Sequence, residues 1–340
     1  MNAVTVPPGD DVAHGLGALA GRLVPGASGI ASLRRLSGGA VQETYAFEVV
    51  GPDGPRAMVL RRARKALRQD RSYGVSLAEE AAAIRLAGEG GVPVAEVVHV
   101  LEEADGLGEG FVSAFVEGET IPRRILREPA FAGARERFAA DCGRVLARLH
   151  ALPLERFPFL ETISPATALA RMDAQYRALD RPGPVFEAAL RWLADHLPPM
   201  PPRAAVVHAD FRMGNLIMRP EGIAAVIDWE GVHIGDPAAD IAYLTARSWR
   251  FGQLAKPVGG VGTRKDLIEA YRAGGGSVPD GARLRFWDIA HTLWWGLVCA
   301  EMARQFTSRA DYAVERGAVG RRRSEAEIDL VCLLERELRS

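Results

Sequence analysis

A polar stretch between residues 206 and 230 carries side chains whose types and spacing could do chemistry. Asp210 is followed by Asn215 after four intervening residues, and Asp228 lies thirteen residues beyond Asn215. A carboxylate can accept a proton from a hydroxyl group, and an amide oxygen and a second carboxylate are ligands that Mg²⁺ accepts. Phosphoryl transfer to a hydroxyl needs these three groups. Asp210 is therefore the candidate base, and Asn215 and Asp228 are the candidate magnesium ligands.

Short apolar runs around these residues predict the elements that position them. Three runs are typical of strands, at residues 204–207, 216–218 and 224–227. Residues 219–222, Arg-Pro-Glu-Gly, separate the last two runs and have turn chemistry, because Pro fixes φ and Gly permits positive φ. The sequence therefore predicts a strand before Asp210 and a hairpin after it.

A hairpin centred on this turn would bring the two candidate metal ligands close together. Its register would pair Leu216 with Ile227 and set Asn215 opposite Asp228, unless the register is shifted by one residue. Cross-strand partners have Cβ atoms roughly 4.5–5.5 Å apart, a separation that suits two ligands of one ion. A lone Asp and Asn at this spacing could also be ordinary turn residues.

The order of these residues resembles a known family. The run His208-Ala209-Asp210, four residues and then Asn215 is similar to the kinase catalytic loop. Together with Ile-Asp-Trp-Glu at residues 227–230 and Gly-Asp-Pro-Ala-Ala-Asp-Ile-Ala at residues 235–242, it resembles the aminoglycoside phosphotransferase-like family. That family has Gly where this chain has Ala209, which is a small-for-small change unless the position requires positive φ.

Further segments resemble one branch of that family, the kinase-like domains related to those fused to acyl-CoA dehydrogenases. They are Leu-Ser-Gly-Gly at 36–39, Val-Leu-Arg-Arg at 59–62, Ser-Trp-Arg-Phe-Gly at 248–252 and Gly-Arg-Arg-Arg-Ser-Glu-Ala-Glu at 320–327. Members of this branch are associated with phosphorylation of hydroxyacyl-CoA thioesters. The resemblance also implies that His208 and Asp236 support the catalytic loop, with no proton transfer by His208.

The resemblance implies an α+β fold of the two-lobed protein-kinase type. Residues 1–117 would form an N-terminal nucleotide-binding lobe with an antiparallel sheet and one helix. Residues 118–340 would form a mainly helical C-terminal lobe with the catalytic loop and the substrate site. Capping boxes at Ser76–Glu79 and Ser324–Glu327 predict the starts of two helices.

The candidate nucleotide site draws on the N-terminal lobe. Ser37, Gly38 and Gly39 could bring backbone N–H groups to phosphates, although Gly-Gly between strands is often a plain hairpin turn. By position, Arg61 occupies the place of the strand Lys and Glu80 the place of the helix Glu that kinases use around the α and β phosphates. The hinge that follows this lobe adds three candidate nucleotide contacts: Phe115, Val116 and Glu117.

Arg61 departs from the kinase pattern. A planar guanidinium replaces the point charge of Lys, although Arg can bind phosphate through two hydrogen bonds. The alternative is that Arg61 and Arg62 lie on a solvated strand face. A basic run could contact ATP or an anionic substrate tail, although a solvated charged face is the simpler account of it; the run comprises Arg61, Arg62, Arg64, Lys65, Arg68 and Arg71.

Composition limits the partners. The chain has 42 basic and 43 acidic residues, so no global field favours nucleic acid. No run of about 18 apolar residues predicts a membrane span, and the first residues lack the pattern of a signal peptide. The cysteines Cys142, Cys299 and Cys332 have no metal-ligand spacing. We expect a cytoplasmic enzyme that uses ATP and Mg²⁺ on a small-molecule hydroxyl substrate.

The acceptor is the least determined part. Residues 241–323 contain fourteen Lys or Arg and seven Asp or Glu, a balance of +7, which favours anions over polycations. Trp249, Arg250 and Trp295 are candidate substrate contacts for an anionic, partly apolar acceptor such as a hydroxyacyl-CoA. An aminoglycoside or amino-alcohol kinase and a non-catalytic nucleotide-binding protein remain as alternatives. A phosphohydrolase is disfavoured because the chain lacks a dense cluster of His and Asp.

Overall fold

The computed structural model describes residues 10–36, 42–63, 74–180, 183–310 and 313–338. The chain forms two compact units. The first contains residues 1–134, 152–160 and 214–232, and the second contains residues 135–151, 161–213 and 233–340. The first unit thus includes three stretches that follow residue 117, where the sequence analysis placed the lobe boundary.

An antiparallel five-stranded sheet dominates the first unit. Its strands are β1 (Gly29–Arg35), β2 (Gln42–Gly51), β3 (Gly54–Ala63), β4 (Val97–Val100) and β5 (Gly110–Ala114). The spatial order is β1-β2-β3-β5-β4, and each neighbouring pair is antiparallel. This confirms the predicted sheet.

The core of the first unit lies between this sheet and helix α1 (Asp10–Leu23). Leu16 and Leu19 of α1 pack in one cluster with Phe47 and Val49 of β2. Tyr45, Phe47 and Val49 alternate along β2 and share this buried face, because successive side chains of a strand point to opposite sides.

Helix α2 (Leu77–Glu89) follows the sheet's third strand and begins with the predicted capping box. The Ser76 hydroxyl accepts from the backbone N–H of Glu79 at 3.1 Å, and the Glu79 carboxylate accepts from the Ser76 N–H at 2.7 Å. Two backbone donors at the helix start are satisfied in this way, so the sequence located this helix accurately. Its start is important because α2 carries Glu80.

The remaining elements of the first unit are a short helix, α3 (Pro122–Arg127), and the hairpin β7 (Leu216–Arg219) and β8 (Gly222–Val226). The second unit is mainly helical, with β6 (Ala205–Val207) paired antiparallel to β9 (His233–Gly235). Its helices are α4 (Ala132–His150, begun in the first unit), α5 (Pro165–Arg177), α6 (Pro184–Asp195), α7 (Ala238–Thr245), α8 (Arg264–Ala273), α9 (Gly281–Thr307), α10 (Val314–Gly320) and α11 (Arg323–Leu338). Short 3-10 turns lie at Glu103–Asp105, Pro129–Phe131, Leu154–Arg156, Met213–Asn215 and Arg247–Trp249.

The second predicted capping box is wrong. Helix α11 begins at Arg323, so Ser324 lies inside the helix and its hydroxyl donates to the carbonyl of Arg321 at 3.3 Å. The preceding helix ends at Gly320, only three residues earlier, and the Glu325 N–H donates to the carbonyl of Arg322 at 3.0 Å. The close approach of two helices leaves no extended residue to serve as the cap.

Two further sequence expectations concern the whole chain. Within the described ranges, no helix is long and apolar enough to cross a membrane. The three cysteines are free thiols, with Cys142 and Cys299 buried and Cys332 partly exposed.

Candidate active site

The catalytic loop leaves β6 and is held by a buried carboxylate of α7. Asp240 is fully buried, and its two oxygens accept from the backbone N–H groups of His208 and Ala209, each at 2.9 Å. Ala209 has φ 72°, in the left-handed region where a Cβ atom is unfavourable. The Ala in place of the family's Gly therefore sits at a position with positive φ, and Asp240 holds it there.

Histidines complete the support of this loop. The backbone N–H of Asp210 donates to Nδ1 of His208 at 3.2 Å. Nε2 of His150 lies 3.1 Å from Asp240, and its Nδ1 lies 2.9 Å from the Tyr271 hydroxyl. Burial acts to raise the pKa of Asp240, but the hydrogen bond and charge of His150 outweigh it and lower this pKa below its usual value.

Asp236, the other residue predicted to support the loop, makes different bonds. It accepts from Arg283 at 2.6 Å, from the Trp287 indole at 2.8 Å and from the Ala238 N–H at 3.0 Å. These bonds connect the start of α7 to α9. Asp240 was not among the predicted site residues, although it lies in the Gly-Asp-Pro-Ala-Ala-Asp-Ile-Ala motif at residues 235–242.

The Asp210 side chain is partly exposed and paired. Arg212 contacts it through Nε at 2.9 Å from Oδ1 and Nη2 at 3.4 Å from Oδ2. Burial raises the pKa of the Tyr243 hydroxyl well above its usual value, and the charge of neighbouring Asp210 raises it further. The Tyr243 hydroxyl also hydrogen-bonds with Asp210. Asp210 is therefore oriented by its own loop and by α7.

Two of the predicted substrate residues form an aromatic pair beside this loop. The Arg212 guanidinium lies 4.8 Å from the ring centre of Trp249, and the Trp249 ring meets Trp295 edge-on at 4.9 Å. Arg322 lies 5.3 Å from the ring centre of Trp295. We call Trp249 and Trp295 the tryptophan pair. It combines apolar surface with two cations, within the second unit.

The third predicted substrate residue, Arg250, is tied to its own segment. Its guanidinium donates to the carbonyls of Thr245, at 2.7 and 3.0 Å, and Leu254, at 3.2 Å. Burial lowers the pKa of Arg250, and the positive charges of Arg264 and Arg247 lower it further. Arg250 therefore lies near two other cations, Arg247 and Arg264, and backbone carbonyl groups accept its hydrogen bonds.

In the first unit, Arg61 of β3 joins three carboxylates. Its Nε lies 3.3 Å from Glu80 of α2, and its Nη2 lies 2.8 Å from Asp228 and 3.5 Å from Glu230. Arg61 therefore points into a part-buried acidic group and does not lie on a solvated face. The strand cation and helix carboxylate that the sequence analysis selected are in contact.

The environment of this group is costly for charge. Glu80 is 1% exposed, and burial raises its pKa to about 7 against the opposing charge of Arg61. Burial would lower the pKa of Arg61, but the charges of Glu80 and Asp228 raise it above its usual value. The guanidinium thus remains charged and is the main compensation for the buried carboxylate.

The hairpin that carries the candidate metal ligands forms, but the predicted register is wrong by one residue. Leu216 pairs with Val226, and the register shifts between Ile217 and Met218. The Ile227 N–H then donates to the Asn215 carbonyl at 2.9 Å, so Asn215 faces Ile227. The error lies at the turn, where Arg219 pairs with Gly222, two residues away from the predicted register; the β-bulge then recovers one of the two residues.

Asp228 nevertheless directly follows Ile227, the residue that faces Asn215. Asn215 is 5% exposed, and Asp228 has φ 69°, which directs the chain out of the strand. An amide oxygen and a carboxylate are hard oxygen donors of the kind that Mg²⁺ accepts, with the remaining positions left to water and phosphate. Among the described residues, no three His, Cys, Asp or Glu side chains group as metal ligands. The amide oxygen of Asn215 and the carboxylate of Asp228 are donors of the type that would suit Mg²⁺.

The remaining predicted nucleotide contacts have two outcomes. Ser37, Gly38 and Gly39 lie outside the described residues. Phe115, Val116 and Glu117 directly follow β5, and the Phe115 N–H donates to the carbonyl of Ala57 at 3.0 Å. The three residues therefore lie at the end of a sheet strand, and their contact with nucleotide stays a prediction.

Comparison with known proteins gives the class of this chain. Residues 32–287 match the phosphotransferase enzyme family, and the chain belongs to that family. Its curated relatives include mouse acyl-CoA dehydrogenase family member 10, 34% identical over 164 residues, which are 45% of this chain and 15% of the relative. Chicken acyl-CoA dehydrogenase family member 11 is 30% identical over 236 residues, 64% of this chain and 28% of the relative. The chain thus spans less than a third of either relative.

Solved structures support the same fold. A Ralstonia eutropha protein described as an aminoglycoside phosphotransferase superposes with a TM-score of 0.72 at 20% identity, over 95% of this chain and 98% of that one. A thermostable mutant of aminoglycoside phosphotransferase APH(4)-Ia, in ternary complex with AMP-PNP and hygromycin B, superposes with a TM-score of 0.61 at 16% identity, over 96% and 98% of the two chains. The predicted protein-kinase-like fold is confirmed.

Proposed function

We propose that this phosphotransferase moves the γ-phosphoryl group of ATP to a hydroxyl of a small molecule. The observation that carries the proposal is the contact of Arg61 with both Glu80 and Asp228. Kinases use a strand cation paired with a helix carboxylate to hold the α and β phosphates, together with a metal-binding Asp. Arg61 supplies the cation here, and a guanidinium can bind phosphate through two hydrogen bonds.

Each proposed catalytic group has one task. The Asp210 carboxylate accepts the proton of the acceptor hydroxyl as the new bond from that oxygen to the γ-phosphorus forms. The bond from the γ-phosphorus to its bridging oxygen breaks, and ADP leaves. The Asn215 amide oxygen and the Asp228 carboxylate would hold magnesium, which neutralises phosphate charge when bound. Positioning supplies most of the remaining catalysis.

For the acceptor we propose an anionic, partly apolar alcohol of the hydroxyacyl-CoA type. In the tryptophan pair, the partly exposed Trp295 offers apolar surface, Trp249 is buried, and Arg212 and Arg322 lie over the two rings. The +7 balance of residues 241–323 concentrates anions. Two relatives are named as acyl-CoA dehydrogenase family members, which supports an acyl-CoA-type acceptor.

A second acceptor class is an aminoglycoside or a small amino alcohol. The APH(4)-Ia mutant that superposes on this chain binds hygromycin B, which supports an aminoglycoside as the second candidate. The positive balance of residues 241–323 disfavours a polycation there. A nucleotide-binding protein without catalysis is the remaining alternative, raised by Arg61 in the place of Lys.

The test combines binding and turnover. ATP with magnesium should raise the melting temperature, and consumption of ATP is then measured with hydroxyacyl-CoAs, aminoglycosides and amino alcohols. Asp210→Ala should abolish transfer while the stabilisation by ATP and magnesium remains. Asp195→Ala, at an exposed carboxylate of the same unit, is the matched control and should leave both unchanged. Turnover by the Asp210→Ala variant would contradict the catalytic assignment.

A further inference from the structure

The catalytic carboxylate is held by a neighbouring guanidinium. Arg212, two residues after Asp210, approaches both carboxylate oxygens, Oδ1 at 2.9 Å and Oδ2 at 3.4 Å. A two-pronged contact of this kind fixes the orientation of a carboxylate as well as attracting it. A base requires such orientation, because a displacement of about 1 Å at a reacting group can cost 10²-fold in rate.

Arg212 is in turn held by the second unit's aromatic residues. Its guanidinium lies 4.8 Å from the ring centre of Trp249, which is 5% exposed. Trp249 packs against Trp295 at 4.9 Å and against Tyr243 at 5.6 Å. A cation over a partly desolvated indole face is attracted to it, so Trp249 fixes the place from which Arg212 reaches Asp210.

We propose that Arg212 is the positioning residue for the Asp210 carboxylate and that Trp249 anchors it. This inference rests on the proposed function. A carboxylate offers about four acceptor sites, so the contact with Arg212 leaves capacity for the acceptor's proton. Arg212 acts through Asp210: it sets the direction of the carboxylate and takes no proton itself. The same tryptophan pair that would bind the acceptor then aligns the base.

Two other roles for Arg212 give different kinetics. If the guanidinium bound ATP directly, its removal would raise the KM for ATP. If the guanidinium only stabilised the fold, its removal would lower the melting temperature, and kcat would fall only as folded protein is lost. A positioning residue lowers kcat in folded protein at saturating ATP, because it affects the chemical step.

The experiment measures kcat, both KM values and the melting temperature for Arg212→Met and Arg212→Lys. We expect Arg212→Met to lower kcat by about 10- to 100-fold with the KM for ATP within about 3-fold of the wild type. Arg212→Lys should recover part of the loss, because it keeps the charge and loses the two-pronged contact.

The matched control is Arg323→Met. Arg323 pairs with Glu327 through Nε at 3.0 Å and lies 5.1 Å from the ring centre of Phe186, so its surroundings copy those of Arg212 away from the catalytic loop. Arg323→Met should remove a similar ion pair and ring contact while kcat stays within about 2-fold of the wild type.

Several outcomes would overturn the proposal. They are an unchanged kcat in Arg212→Met, a loss confined to the KM for ATP, full recovery by Arg212→Lys, or an equal fall in kcat in Arg323→Met. Failure of the proposed function gives a different result, since Asp210→Ala would then retain turnover. An inactive Asp210→Ala together with a fully active Arg212→Met would refute only the role of Arg212.

Discussion

The buried carboxylate of Asp240 should control the conformation of the catalytic loop, and Asp240→Asn tests this. Its two oxygens accept from the N–H groups of His208 and Ala209 at 2.9 Å and from Nε2 of His150 at 3.1 Å. An Asn side chain has one acceptor oxygen, so at least one of these backbone donors would face an amide NH₂ group. The substitution keeps the shape and removes the charge and one acceptor.

The expected loss follows from these contacts. A hydrogen bond to a charged group contributes about 1.5–3 kcal/mol, and a buried donor left without a partner costs about 1–3 kcal/mol. Ala209 adds strain, because an L residue in the left-handed region costs roughly 1–2 kcal/mol that the Asp240 bond now opposes. We therefore expect Asp240→Asn to lower the free energy of unfolding by about 2–4 kcal/mol. We also expect kcat to fall by about 10- to 100-fold, because the loop that carries Asp210 would relax.

Urea unfolding and steady-state kinetics measure the two effects. Asp236→Asn is the matched control, because Asp236 is also buried and also accepts three hydrogen bonds, none from the loop backbone. It should reduce stability by a similar amount and kcat by much less. A wild-type kcat in Asp240→Asn, or an equal fall in both variants, would refute the reasoning.

Two further predictions use neighbouring features. Arg61→Met should raise the Kd for ATP with magnesium at least about 10-fold, measured by calorimetry, and should lower the free energy of unfolding by about 3–5 kcal/mol, because Glu80 would stay buried without its cation. The control is the adjacent Arg62→Met, which removes a pair with Glu43 and should leave that Kd unchanged. Equal Kd values in the two variants would contradict this prediction. Ala209→Gly should change the free energy of unfolding by less than about 1 kcal/mol, because relief of strain and the greater freedom of the unfolded chain oppose each other. In the Asp240→Asn background it should recover part of kcat, and no recovery would argue against strain at this position.

Local signals in the sequence located the elements that carry the site. The Ser76–Glu79 capping box gave the start of α2 and thus the place of Glu80. The alternation of Tyr45, Phe47 and Val49 in the sequence matches the buried face of β2. These signals succeed because each depends on residues close together in the chain.

Contacts between distant residues were not predictable in the same way. Asp240 reaches the loop backbone across 31 and 32 residues, and its role depends on how α7 packs beside β6. The hairpin register was wrong because Arg219 pairs with Gly222 at the turn, two residues away from the predicted register, and the bulge between Ile217 and Met218 recovers only one of the two. Apolar spacing does not define which residues form the turn.

The replacement of Lys by Arg61 is explained by the geometry of the group it joins. One guanidinium reaches Glu80 through Nε and Asp228 through Nη2, whereas the three N–H donors of an ammonium all leave from one nitrogen. Arg61 approaches Oδ1 of Asp228, and a carboxylate has about four acceptor sites, so magnesium and the guanidinium can share it. The substitution therefore adds a direct connection between the strand cation and the proposed metal ligand. Loss of nucleotide binding is not a necessary consequence of Arg61, and the KM for ATP of a lysine variant would show how much this connection contributes.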